Sequence, residues 1–357
     1  MSMTIGEPMP ASCDVAVIGA GLVGALVARQ LAEADLHVVV LETQAQVGGS
    51  AEHSAALALL GTPEPFASLA GRLGDQAALD IWQLTQRNLE SLASWAQRLG
   101  VDIKRKGSFR PVADGTMAER LQRSAALLTE AGFPVTVEDA TDLGMLIGLR
   151  TEGDLSFDAK ALLHALLDAP QITVQTETEV QKVLAGPEDV EIWAQKHFLK
   201  ARAVVLAAGA YVTHLNRSLA DYLTVMPLHA VDCEASDPLD APLILENGQI
   251  LVQQVWPAWQ LSTCPESRDA SPWTLLSKTA AQFCPEAKVL KRSNGWVAQS
   301  MDALPIVGGF PDMPHVYTVS GLGAWGFSWA FVAVERLMDV MFKDTDPGIL
   351  SLKRFLA

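Results

Sequence analysis

The chain has 357 residues, a formal net charge of −15, 49% hydrophobic residues and only 19% charged ones. That length exceeds what one hydrophobic core usually serves, and the apolar fraction excludes a disordered chain. An acidic balance with no run of Lys or Arg argues against nucleic acid as the main partner, because phosphate binding needs clustered positive charge. The four cysteines, Cys13, Cys233, Cys264 and Cys284, form no C-x-x-C pair, so free thiols in a reducing compartment are expected and no metal site is. Met1 to Ser12 has neither the basic start nor the apolar stretch of a secretory signal. The best apolar runs, Ala203–Ala210 and Ser328–Val334, fall well short of the roughly 20 residues that span a bilayer. A soluble, cytoplasmic chain with no membrane partner is expected.

In chain order, Asp14 to Ile18 reads as a buried parallel strand. It runs into Gly19-Ala20-Gly21-Leu22-Val23-Gly24, a helical stretch from Leu22 to about Ala34, and a second apolar run from His37 to Leu41 that ends at Glu42. The glycines have separate tasks. Gly19 permits the tight turn, Gly21 lets the backbone approach a pyrophosphate, and Gly24 lets helix and strand pack closely. The helix start at Leu22 and Val23 offers free N–H groups to phosphate. Glu42, with Thr43 beside it, stands where a ribose diol is held. This strand–turn–helix–strand–acid order predicts dinucleotide binding. A second glycine pair, Gly48-Gly49, follows within a few residues and favours a flavin dinucleotide of the glutathione-reductase-like fold over a nicotinamide one.

Leu84, Leu89, Leu92, Trp95 and Leu99 lie at helical spacing and read as a core face. Gly153 to Leu167 reads as helical and Val174 to Val180 as a strand. Ala201 to Ala210 reads as an apolar strand that ends in small residues, which permits close approach of a ligand. The short apolar runs Ile244–Leu245, Ile250–Val255 and Trp259–Ser262 fit strands. Val316 to Val319 reads as a strand, and Gly321 to Gly326 as the glycine-rich opening of a helix running to about Phe342.

These blocks together resemble the superfamily of D-amino-acid oxidase, glycine oxidase and sarcosine oxidase, FAD-dependent enzymes. Val15–Glu42, Gly48–Leu57, Glu179–Ala210 and Asp302–Leu337 match in order across nearly the whole chain. The C-terminal part, around Leu304–Gly308 and Gly321–Gly323, is also similar to the oxidase domain of a bacterial tRNA wobble-uridine modification enzyme. The resemblance implies an α/β chain: a Rossmann FAD-binding domain from residues 12–100, 157–222 and 295–345, and a smaller, mainly antiparallel β substrate domain from 101–156 and 223–294. It implies non-covalent FAD. Gly19, Gly21, Leu22, Val23, Gly24, Glu42 and Thr43 would hold the ADP half, and Gly48, Gly49, Ser50 and His53 would lie along the pyrophosphate and ribityl chain. Val180, Ala208 and Gly209 would sit at the adenine. Gly308, Gly321, Gly323, Ala324, Trp325, Gly326 and Phe327 would border the flavin ring. His53, His229 and Trp325 are the candidate catalytic residues.

The implied reaction is oxidation of a C–N bond in a small amine or amino-acid derivative, with hydride passing to flavin N5 and an imine as product. Here the chain departs from the family. An arginine for a substrate carboxylate is expected five residues before Asp302, where Val297 stands; His229-Ala230 replaces a second Arg-Gly; Ser328 replaces a lysine and Trp325 a histidine. A buried carboxylate without a cation is strongly unfavourable. Either another arginine reaches the pocket, with Arg110 and Arg292 the nearest candidates, or the substrate lacks a carboxylate, or the chain does not perform standard amino-acid oxidation at all. Five tryptophans, Trp256, Trp259, Trp296, Trp325 and Trp329, stand in the segments expected around the flavin and substrate, either as aromatic walls or as core. Two alternatives stay open: an FAD-bearing subunit of a hetero-oligomeric oxidase or dehydrogenase that needs a partner chain, and a nicotinamide-only dehydrogenase. Homo-oligomerisation also stays open.

Overall fold

The computed structural model describes residues 9–195, 197–234, 238–255, 258–265 and 271–356. Trp256 lies outside the described residues. Alternation in the first strand, Ser12–Ile18, already sets the layers. Val15 and Val17 point into one core with the helices Leu22–Glu33, Asp75–Leu99, Ala159–Leu167 and Ala330–Lys343. Ala16 and Ile18 point into a second core on the opposite face, with Val183, Ile192, Leu199 and Phe310. Successive strand residues face opposite ways, so a strand apolar at every position must be covered on both sides.

Five parallel strands form the centre of this sheet, in the order Ile172–Gln175, Val38–Leu41, Ser12–Ile18, His197–Leu206 and Met313–Ser320. Their C-terminal ends therefore share one edge, where ligands of open α/β sheets bind. Val180–Ala185 and Val190–Ala194 extend the sheet by antiparallel pairing onto the front half of His197–Leu206. A second eight-stranded sheet runs in the order 288–300, 223–234, 258–263, 250–255, 243–245, 108–112, 147–151 and 135–139. Its one parallel contact is Leu243 beside Phe109. The strand Lys288–Ser300 runs unbroken across the boundary expected between 294 and 295.

Three expected elements resolve differently. The stretch 174–180 is the end of one strand, at Gln175, and the start of another, at Val180, because Glu177 turns the chain at φ 51°. Within 153–167, Leu155–Phe157 is a strand and the helix begins at Ala159, where Asp158 caps it by accepting from the Ala161 N–H. The helix expected from Gly321 to Phe342 is broken: a tight 3-10 turn, Gly323–Ser328, precedes the α-helix Ala330–Lys343. The core face read at 84–99 is present, with Leu89, Leu92 and Trp95 buried in the first core. Among the described residues no helix is long and apolar enough to cross a membrane, and no group of acid, Cys or His side chains is placed to hold a metal.

Candidate cofactor and active site

One cavity of about 450 Å³ lies along the shared C-terminal edge, lined by Ile18, Leu41, Ala207 and Ser320 where four parallel strands end. At one end stands Glu42, whose carboxylate is held by backbone. Oε2 accepts from the Ala20 N–H at 2.8 Å and Oε1 from the Gln44 N–H at 2.9 Å. Each oxygen keeps a lone pair for a further donor. The glycine turn then folds against the second glycine pair: Gly48 donates its N–H to the Ala20 carbonyl at 3.0 Å, and Gly21 and Gly48 form a bridge.

Two glycines are required by contact. A Cβ on Gly24 would sit 1.8 Å from the Gly19 carbonyl oxygen, and one on Gly19, at φ 105°, would sit 2.6 Å from that of Ala207. Gly21, in contrast, has open space on its cavity side, where a Cβ would meet only the Gly48 oxygen at 3.8 Å. The helix that starts there has no side-chain cap, so its first N–H groups point unsatisfied toward the cavity. A carboxylate at one end, an uncapped helix start in the middle and open backbone between them fit the ribose and pyrophosphate of a dinucleotide.

At the other end, Gly321, Leu322, Gly323, Ala324, Gly326 and Phe327 line the cavity. This turn is pinned to the second sheet: Ser300 donates to the Gly321 carbonyl at 3.1 Å, and Gln299 packs on Gly323 so closely that a Cβ there would lie 1.9 Å from its Oε1. Facing the turn are Leu228, Trp296, Val297 and Ala298. Val297 is 6% exposed and packs with Leu228, Cys264, Met226 and Ala324. Burial pushes the Cys264 thiol up to about 12, so it stays protonated.

Of the expected cofactor residues, Gly19, Gly21, Leu22, Val23, Glu42, Thr43, Gly49, Ser50, Val180, Ala208, Gly209, Gly321, Gly323, Ala324, Gly326 and Phe327 all line this cavity. Gly24, Gly48, His53, Gly308 and Trp325 do not. Gly24 serves helix packing, and Gly308 lies against Leu352. Trp325 is buried among Leu57, Leu59, Ile244 and Leu251, with its indole N–H 3.4 Å from the Gly248 carbonyl. His53 lies against Gly295, and His229 meets the Trp273 ring edge-on at 4.9 Å. Burial lowers the pKa of both histidines, and Nδ1 of each is buried without a hydrogen-bond partner among the described residues. None of the three candidate catalytic side chains reaches the cavity lining.

The departures from the family pattern also have places. Ser328 is buried and accepts a hydrogen bond from the Leu59 N–H at 2.8 Å. Asp302 forms a two-pronged ion pair with Arg354, at 2.7 and 3.0 Å. Burial would raise the Asp302 pKa, but the hydrogen bonds and charge of Arg354 outweigh it and hold the pKa low. Arg110 donates to the carbonyls of Thr62 and Pro63, and Arg292 lies over the Trp273 ring. Sequence reasoning missed Tyr211, His214 and Leu215, which line the cavity beyond Gly209, and Leu228 as a wall residue; Trp296, one of the five tryptophans expected as wall or core, lines the cavity. Which residues of two paired strands meet a ligand depends on cross-strand register, which no local pattern carries.

Comparison with known proteins places this geometry. The family model described as DAO, FAD dependent oxidoreductase, matches residues 14–339. The chain is 24% identical over 397 residues to the tRNA 5-methylaminomethyl-2-thiouridine biosynthesis bifunctional protein MnmC of Hydrogenovibrio crunogenus, covering 93% of this chain and 56% of that protein. It therefore spans little more than half the length of that relative. It is 24% identical over 344 residues to a glycine oxidase of Geobacillus kaustophilus, with 86% of this chain and 87% of that one covered. The crystal structure of glycine oxidase from the same organism superposes with a TM-score of 0.80 at 20% identity, covering 97% of this chain and 99% of that one.

Proposed function

The chain belongs to the DAO family of FAD-dependent oxidoreductases, and from that premise we propose that it oxidises a C–N bond of a small amine or amino-acid derivative. FAD is the cofactor of this family, and when bound it accepts the hydride lost from the carbon beside the nitrogen. The substrate leaves as an imine, which water hydrolyses. The observation that carries this reading is the single cavity that joins a backbone-held acid, Glu42, to an apolar wall at Leu228, Val297 and Phe327.

On this reading Glu42 would take the ribose hydroxyls and the helix start at Leu22 and Val23 the pyrophosphate. Ser50, Val180 and Gly209 would line the chain between them, and Gly321 to Phe327 would border the ring. Among the described residues no cysteine lines the cavity, which favours non-covalent retention. Among the described residues the titratable ones in the lining are Glu42, Glu179, Tyr211 and His214, none of them on the two strands of the apolar wall. The wall thus has no acid or base of its own. It excludes water and favours a neutral amine, whose nitrogen lone pair is free to assist hydride loss. The test is an anaerobic screen of amines and amino acids against the FAD-loaded protein. Bleaching of the oxidised flavin band by at least one class is expected, and bleaching by none overturns the reading.

A second reading, an FAD-bearing subunit that acts with a partner chain, is favoured by the rim of the cavity. Trp296 and Tyr211 both line it yet are 46% and 55% exposed. A partner lying over that rim would complete the site; turnover that appears only after a co-purified chain is added back would support it.

A further inference from the structure

We infer that the substrate end of this cavity selects an amine that carries no carboxylate, with an apolar substituent seated on the wall formed by Leu228, Val297 and Phe327. This rests on the amine-oxidation reading and names its substrate class. Among the described residues, no Lys or Arg lines the cavity. The wall itself is closed to charge by packing. Val297 lies across the strand pair from Met226, and Leu228 from Gly295, so Met226, Leu228 and Val297 share one face of the sheet. Cys264 and Ala324 fill the space against them.

The two arginines nearest in expectation are committed elsewhere. The Arg110 guanidinium is buried, bonded to the carbonyls of Thr62 and Pro63, and 5.7 Å from the Trp325 ring centre. Arg292 sits 5.8 Å over Trp273, outside the cavity lining. A carboxylate brought to this wall would lose its water and meet no cation among the described residues, a loss that no contact with aliphatic carbon offsets. The aryl or alkyl group of an amine loses only apolar hydration there, and the exposed Trp296 at the rim offers it a further aromatic face.

The experiment is a titration of the oxidised FAD-loaded protein with a matched pair: N-methylbenzylamine and N-methylphenylglycine, which adds one carboxylate to the same skeleton. Dissociation constants are read from the shift of the flavin absorption bands, and reduction is followed separately under anaerobic conditions. The amine is expected to bind about 100-fold or more tightly than its carboxylated counterpart. Equal or tighter binding of the carboxylated member overturns the inference and, if that member bleaches the flavin, leaves amine oxidation intact. An amine that binds more tightly than its carboxylated counterpart supports the selectivity whether or not it bleaches the flavin; the oxidation reading is overturned when every amine and amino acid of the screen leaves the flavin oxidised. No band shift with either ligand overturns the inference. Val297→Arg is expected to reverse the order of the pair; an unchanged order in a folded, flavin-loaded variant overturns it. The wild-type comparison stands if that variant fails to fold.

Discussion

Asn88 and Phe327 are joined by a hydrogen bond in the protein interior: Asn88 Nδ2 donates to the Phe327 carbonyl at 2.8 Å. The same side chain accepts at Oδ1 from the N–H groups of Phe331, at 2.9 Å, and Val332, at 3.2 Å. The helix Ala330–Lys343 has no capping side chain of its own. Its cap comes from the long helix Asp75–Leu99, and the bond to Phe327 fixes the turn that borders the cavity.

Asn88→Leu is therefore expected to destabilise the fold by about 2–4 kcal/mol, because it leaves two N–H groups and one carbonyl buried without partners. It is also expected to weaken flavin retention, since Phe327 lines the cavity. Denaturant midpoints and flavin-to-protein ratio check both. A stable variant with full flavin content contradicts the account.

Gly24→Ala places a methyl group 1.8 Å from the Gly19 oxygen, a backbone atom that cannot swing aside. The helix must move off the sheet, at an expected cost of about 3 kcal/mol or more. The purified variant should be colourless or nearly so. Gly71→Ala, where a Cβ meets nothing within 4 Å, is the control and should change stability little.

Glu42→Ala removes the acceptor of both the Ala20 and the Gln44 N–H groups and, on the proposed binding mode, the ribose contact. FAD affinity is expected to fall at least about 10-fold, the scale of one charge-assisted hydrogen bond. Fluorescence quenching of FAD added to the apoprotein measures it. Glu42→Gln, which keeps one acceptor oxygen, should fall between.

Asp154 gives a pH prediction. Burial pushes its pKa up to about 7, against the hydrogen bonds from Ser108 Oγ, at 2.5 Å, and the Leu60 N–H, at 2.7 Å, and against the charge of Arg110. Arg110 is likewise pushed down to about 10 by burial. For both groups, burial outweighs their mutual attraction. The folded pKa of Asp154 lies above its ordinary 3.8, so folding takes up a proton between those values. This group's contribution to stability is full below pH about 4 and is lost as pH rises toward about 7, at up to about 1.4 kcal/mol per pH unit. Urea unfolding of wild type and Asp154→Asn from pH 4 to 8 isolates it: the wild type should lose ground steadily to the variant. Parallel profiles would sink the assignment.

The sequence by itself determined the front of the molecule. Residues 12–42 hold a strand, turn, helix, strand and acid within about 30 positions, and local sterics and periodicity dictate each of them. The glycine pair at 48–49 and the strand ending near Ala207 were legible for the same reason: small residues mark close backbone approach. Tertiary structure alone decided the substrate end. His53, His229 and Trp325 look equally chemical in sequence, yet all three lie outside the cavity lining, while Val297 and Leu228 form its wall. What separates them is the register of Leu223–Glu234 against Lys288–Ser300 and the break at Trp329 that turns the glycine-rich loop inward. The register joins residues 54 to 77 positions apart in the chain, and the turn before the break is tied through Ser328 to Leu59, 269 positions away; such contacts are set by packing of the whole core, not by any short run of side chains.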